Sequence, residues 1–298
     1  MHWHELSINA YAAFERACGA ELRLVNGQWW RRVAPFFFRP LNPLEKIPPQ
    51  PSCYPSQSRW GGIQHAVPDP RAGNCYMNFF IYENLQDYDL SQLDERRRRE
   101  TCLSLNHFRA ELIPDWTTFR REAYPVYWEF YNRTGYNYRK QRLNPKGFTQ
   151  WARALFAFPE IQVLGVYHQS QLVAVNISYR LGDVIFDDTL FSNNFSLKLH
   201  VTNFILHTLR AAAAQSDARW LNRGGTTTRR SLDQSKVLRG CRMVAMPARL
   251  KANPLALIGL RLFRAPQYRR LLGVGPSMLP GRIEARLWRN CPTHLETH

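Results

Sequence analysis

The side chains best suited to chemistry lie in the second half of the chain. Lys236 sits among apolar positions of a short helical stretch, "RRSLDQSKVLRG", that follows the loop Gly224, Gly225, Thr226 and closes at Gly240. A lysine held this way presents a fixed positive charge to an anion; on a helix that only packs, the same side chain would snorkel its ammonium into water. Asp187 and Asp188 stand side by side in the β-rich run "VIFDDTLF", so strand alternation sends one carboxylate to each face. His168, His200 and His207 titrate near neutrality and compete as proton carriers. Tyr167 and Tyr179 would protonate a leaving group, or belong to the core as aromatic strand residues usually do. No Ser-His-Asp or Cys-His arrangement stands out. The six cysteines (Cys18, Cys53, Cys75, Cys102, Cys241, Cys291) form no C-x-x-C pair and have no paired histidines, so neither a zinc site nor a redox motif is indicated and no metal is expected.

The elements that must carry these residues are legible in the pattern. Residues 161–168, 172–180 and 184–191 read as three strands joined by short turns, an antiparallel meander. Residues 196–217 place Leu199, Phe204, Ile205, Leu209 and Ala212 at helical spacing and predict one long amphipathic helix. A strand over 218–224, the helix bearing Lys236 and a strand over 241–250 follow. Upstream, Ser7 caps a short helix, and Asn26-Gly27 marks a hairpin. Residues 40–75 are Pro-rich and loop-like, fit either to cover a site or to pack as a surface insertion. Residues 75–83 read as a strand, and 90–108 as a helix with Ser91 as N-cap. An aromatic helix after Pro114 should kink or break before Pro125, and a helix over 144–160 ends at Pro159. The run Arg96 to Arg99 points around most of a helix circumference, which describes a solvated face better than a nucleic-acid stripe.

Composition sets the class. Among 298 residues, 45% are hydrophobic and 13% aromatic, enough for one large or two ordinary folded domains. Forty Lys and Arg against 23 Asp and Glu leave a net charge of +17, which favours an anionic partner: tRNA, a phosphate-bearing cofactor, an acidic glycan precursor or a membrane surface. The scattered cysteines read as reduced thiols of a cytoplasmic protein, and the first residues lack the basic-then-apolar order of a signal peptide. The apolar run "PLALIGLRLF" is interrupted by Arg261 and too short to span a bilayer. It begins a basic, partly amphipathic extension with Arg261, Arg264, Arg269 and Arg270, fit to rest on an anionic membrane surface at the inner face of the membrane or to pack as a C-terminal helix.

The order strand, strand, strand, long helix, strand, Lys-bearing helix, Gly, strand resembles the C-terminal half of the FemAB-like branch of the GNAT acyltransferase fold. The stretches that carry the resemblance are "VLGVYHQSQLVAVNISY" and "NRGGTTTRRSLDQSKVLRGCR", with Gly224, Gly225, Leu232, Lys236 and Gly240 at matching positions. "DERRRRETCLSL", "FRREAYPVYWEFYNRTGY" and "FTQWARALFAFPE" are similar to the family's region before its central sheet. The resemblance implies an α/β (α+β) fold: a mixed, largely antiparallel sheet flanked by helices, in a degenerate tandem GNAT arrangement. It divides the chain into a divergent half over 1–110, an acyltransferase domain over 111–250 and the basic extension over 251–298.

The resemblance also implies an N-acyltransferase. An acceptor amine attacks the carbonyl of an acyl donor directly, so the protein positions two substrates, polarises the carbonyl and accepts a proton. Lys236 would then lie near the cleft between two halves and stabilise a phosphate or the developing oxyanion. Asp187 or Asp188 would act as base, with His168 as competitor, and Gly224, Gly225, Thr226 and Tyr179 would line the substrate. The donor implied is acyl-CoA or acetyl-CoA, its pyrophosphate at the turn Ser192, Asn193, Asn194, Ser196 with Lys198, where the family's glycines are replaced by small polar residues. Two alternatives stand beside it: aminoacyl-tRNA-dependent transfer to a cell-envelope precursor, and a non-catalytic binder of an anionic partner.

Overall fold

The computed structural model describes residues 1–135 and 139–275. The elements, in chain order, are α1 (Ile8–Ala17), β1 (Leu22–Val25), β2 (Gln28–Ala34), β3 (Phe37–Pro40), β4 (Gly62–Ala66), β5 (Cys75–Tyr82), α2 (Glu95–Leu105), β6 (Arg109–Leu112), α3 (Trp116–Thr134) and α4 (Pro145–Phe156). They continue with β7 (Gln162–His168), β8 (Gln171–Leu181), β9 (Val184–Ser192), α5 (Asn194–Lys198), α6 (Val201–Ala213), β10 (Trp220–Gly225), α7 (Arg230–Leu238), β11 (Arg242–Ala252), α8 (Pro254–Phe263) and α9 (Ala265–Leu272). The chain forms two compact units: Met1–Cys18 with Tyr82–Arg223, and Gly19–Ile81 with the residues from Gly224 onward.

The first unit is built on the strand order β10-β9-β8-β7-β6, antiparallel except for the parallel pair β10 and β9. The expected meander is β7 to β9. Aromatic side chains of α3 and α4 fill one side: Phe119 stacks on Phe148 at 5.3 Å, Tyr127 packs edge-on to Phe191 and Trp151 edge-on to Phe148. That packing explains why α3 runs on through Pro125 instead of breaking there. The missing N–H costs one helical bond, while Phe119, Ala123, Val126 and Tyr127 stay buried.

Two other helix boundaries differ from the sequence pattern. The capping residue of α2 is Asp94, whose side chain accepts the Arg97 N–H at 2.9 Å; Ser91 belongs to a preceding turn and donates its own N–H to Asp89. The single helix expected over 196–217 is two, α5 and α6, because His200 adopts a left-handed conformation with φ of 62° between them. The Arg96 to Arg99 run divides its work. Arg96 and Arg97 converge on Glu100 at 2.9 and 2.5 Å, while Arg98 and Arg99 are exposed.

The second unit has the strand order β1-β2-β3-β4-β11-β5, antiparallel except for β3 and β4. Its β1–β2 hairpin turns at Asn26 and Gly27, both with positive φ, the conformation that a two-residue turn of matching twist requires. Trp30, Phe38, Ile47 and Ile63 form a buried cluster, and the Pro-rich segment packs Cys53 and Tyr54 against it. That segment is therefore structural cover. No helix among the described residues is long and apolar enough to cross a membrane, and no group of metal-ligating side chains occurs among them. Cys291 lies outside the described residues.

Candidate functional site

In the first unit the chemistry centres on β9. Ser178 pairs with Asp187 and Ile177 with Thr189, so Asp188 is an extra residue, a β-bulge that frees its side chain from strict alternation. The Asp187 side chain is 3% exposed and both its oxygens are engaged: Asn176 Nδ2 donates to Oδ1 at 2.6 Å and Arg223 Nε donates to Oδ2 at 2.7 Å. Gln162 neighbours Ser178 in register, and Trp3 Nε1 donates to the Ser178 hydroxyl at 3.0 Å. The row is polar and buried, and Asn176 Oδ1 and Gln162 Oε1 are acceptors without a partner inside it. Asp188 is exposed and accepts the Thr189 hydroxyl at 2.8 Å.

Tyr179 is buried and donates its hydroxyl to Tyr11 at 2.6 Å; burial, then the neighbouring Tyr11 and the charge of Asp188, push its ionisation well above the ordinary value. It serves the core. His168 ends β7 with Nδ1 3.0 Å from the His107 carbonyl and its ring against Phe195, on a different strand from the two aspartates.

The turn after β9 brings Ser192, Asn193, Asn194, Ser196 and Lys198 together. Several of its polar groups are already used. The Asn193 side chain accepts the Ser196 N–H at 2.9 Å, and the Glu129 carboxylate accepts the Asn194 N–H at 2.7 Å. Arg133 donates to Asn194 Oδ1, the Ser196 hydroxyl donates to the Val173 and Asn193 carbonyls, Ser192 is buried and Lys198 is exposed. A pyrophosphate approaching these N–H groups would meet a carboxylate, and like charge at a helix start repels it. The turn as it stands does not fit that group.

In the second unit the loop before α7 builds a compact polar site. Gly224 has φ of 79°, a conformation that favours glycine. The Thr226 N–H donates to the Asn78 carbonyl at 3.1 Å, and a Cβ on Gly225 would crowd the same oxygen at 3.2 Å. Thr227 donates its N–H and its hydroxyl to Asp233, which is buried; burial raises the Asp233 carboxyl above the usual aspartate range against the pull of those bonds and of Lys236. Lys236, three residues on and on the same helical face, is 8% exposed. Its Nζ donates to the Gly225 carbonyl at 3.1 Å and lies 4.8 Å from the centre of the Phe80 ring. Gly240 closes the helix with φ of 86°. The ammonium is thus held by a carbonyl, a ring face and a carboxylate nearby, an arrangement that fixes a positive charge for an anion or a developing oxyanion.

The structure brings Gly224, Gly225, Thr226 and Lys236 together in the second unit, and Asp187 with Asp188 in the first. Sequence reasoning did not single out Asp233, although its position three residues before Lys236 was a signal. Asn176, Arg223 and Glu129 reach their partners through register and helix packing, which leave no local trace.

No family model matches the chain, and no curated protein does. Solved structures do. The C-terminal domain of a putative lysylphosphatidylglycerol synthetase from Agrobacterium fabrum aligns with a TM-score of 0.58 at 8% identity, over 86% of this chain and 91% of that one. L-PGS from Bacillus licheniformis aligns with a TM-score of 0.55 at 10% identity, over 90% and 98%. FemX is matched at 12% identity and a TM-score of 0.49, with 62% of this chain spanning 63% of that one. At such identities the likeness is one of fold: a mixed, largely antiparallel α/β arrangement.

Proposed function

We propose that this protein is an acyl-group transferase whose donor is an aminoacyl ester of the aminoacyl-tRNA type. The observation that carries the reading is the held ammonium of Lys236, buried against Phe80 and anchored on the Gly225 carbonyl. In such a transfer the acceptor's nitrogen or oxygen bonds to the acyl carbon, the ester C–O bond breaks, the acceptor's proton passes to a base and the leaving oxygen takes up a proton. Lys236 would oppose the charge that builds on the carbonyl oxygen. Both oxygens of Asp187 are occupied by Asn176 and Arg223. Asp187 would then be a positioning residue.

Two features favour an aminoacyl ester over a CoA thioester. Glu129 occupies the turn that a CoA pyrophosphate would need, and a net charge of +17 suits a polyanionic donor. The putative lysylphosphatidylglycerol synthetase from Agrobacterium fabrum supplies the acceptor to test first, the headgroup of phosphatidylglycerol, ahead of an envelope amine. The experiment is single-turnover transfer from aminoacyl-tRNA to phosphatidylglycerol and to amine acceptors, beside thermal shift with charged tRNA, uncharged tRNA and acetyl-CoA. Charged tRNA should stabilise the protein and lose its aminoacyl group to an acceptor. Stabilisation by acetyl-CoA alone would reverse the choice of donor, and binding without turnover would leave a non-catalytic binder.

A further inference from the structure

The helix α8 presents an apolar face that stays exposed among the described residues of its unit. Leu255 is 78% exposed, Ile258 53%, Leu262 68% and Phe263 81%. The positions 255, 258 and 262 follow helical spacing and point one way, while Leu257 and Leu260 turn inward and are half-buried. Isolated exposed leucines need no explanation, but a row of four large apolar side chains on one helix does. Among the described residues of this stretch, charge has one sign. From Asn253 to Gly275 there is no Asp or Glu, and Arg261, Arg264, Arg269 and Arg270 are exposed.

A second feature of the same unit adjoins the start of the helix. Asn253, the N-cap of α8, donates its N–H to the Gly61 carbonyl at 3.0 Å. Gly61 is followed in the chain by Gly62, whose N–H donates to Phe36 O, and preceded by Trp60. Trp60 is 63% exposed and Phe36 48%, and the Arg59 guanidinium lies over the Trp60 ring. Indole rings and arginines are the side chains that settle at a lipid headgroup boundary.

We infer that α8, with Trp60 and Phe36 beside its first turn, is a docking surface for an anionic lipid bilayer, the helix lying in the interface plane. Its apolar row enters the acyl boundary and its arginines meet lipid phosphates. Both halves of that chemistry are needed, because a single short helix binds a neutral surface weakly. The surface suits a transferase with a lipid acceptor but does not rest on that activity, and binding is read without any donor present.

The test is flotation of the full chain with vesicles of phosphatidylcholine alone and of phosphatidylcholine mixed with phosphatidylglycerol. The protein should float with the mixed vesicles, less so as salt rises, and stay behind with the neutral ones. Leu262→Glu with Phe263→Glu should weaken that binding by at least about tenfold, and Leu255→Gln with Ile258→Gln should act in the same direction from the adjacent turn. Arg264→Gln should weaken binding to anionic vesicles about fivefold. All these side chains are exposed, so unchanged thermal unfolding separates lost docking from lost folding. Failure of the wild type to float with anionic vesicles, or equal binding by the apolar variants, would overturn the inference. So would a dimer in solution that the same apolar variants dissociate, since the face would then belong to a second copy.

Discussion

Lys236 Nζ donates to the Gly225 carbonyl at 3.1 Å, across the loop that leads into its own helix. The loop needs its glycine pair for reasons of backbone: Gly224 takes a left-handed φ, and Gly225 lies too close to the Asn78 carbonyl to carry a side chain without a shift. The lysine is fixed by its bond rather than left to sweep through solvent. If that fixed charge faces the reacting carbonyl, Lys236→Met should lower single-turnover transfer by about 100-fold or more. Lys236→Arg should recover little, because a planar fork does not reproduce a point charge at this depth. Rates within about threefold of wild type, in a protein that unfolds normally, would remove the role.

The Glu129 carboxylate on the Asn194 N–H makes a prediction about donors. Acetyl-CoA and inorganic pyrophosphate should leave the melting temperature of the wild type unchanged. Glu129→Ala removes a negative charge from the start of α5 and should tighten pyrophosphate binding by about tenfold, read by calorimetry. Stabilisation of the wild type by acetyl-CoA would sink the aminoacyl-ester reading.

Asp187 and Arg223 form an ion pair with side chains 3% and 11% exposed. Removing one partner leaves the other charge buried, so Arg223→Ala should cost about 3 kcal/mol or more, and Asp187→Asn less, since an amide can keep the bond from Asn176 in one orientation. Urea unfolding of the two single variants and the double variant measures the coupling. A loss below about 1 kcal/mol for Arg223→Ala would mean that water reaches the pair.

Most strands were legible as short apolar runs between turn residues, and the meander over β7 to β9 follows from turns too short for any crossover; β4, inside the Pro-rich segment read as loop, and β6, whose Arg-Ala-Glu-Leu is not an apolar run, were not. What sequence could not supply depends on tertiary contact. Pro125 is a strong breaker locally, but burial of its neighbours on α3 outweighs one lost hydrogen bond. His200 is ordinary in a helical pattern, and only the left-handed turn there separates α5 from α6. The two aspartates were visible as a pair. Their different work was not, because the bulge at Asp188 is a property of the register with β8. Lys236 and its glycines were legible as a group, since all three lie within one loop and one helix; Glu129 and Arg223, distant in sequence from the groups they hold, were not.

Glu100 joins α2 to α6 by accepting from Asn203 at 2.8 Å while Arg96 and Arg97 bind the same carboxylate. Burial raises its pKa, and the three side-chain hydrogen bonds together with the Arg97 charge outweigh that and hold the carboxyl at about 2. A carboxyl depressed on folding contributes stability that is complete above its unfolded pKa and is lost as pH falls through the folded one. The contribution should therefore fade between about pH 4.5 and pH 2. Glu100→Gln should remove on the order of 3 kcal/mol at neutral pH and little at pH 2. Urea unfolding at a series of pH values checks this. A wild type and a variant that differ by the same amount at both extremes would mean the carboxylate is not titrating within the fold, and the link between α2 and α6 would have to come from packing alone.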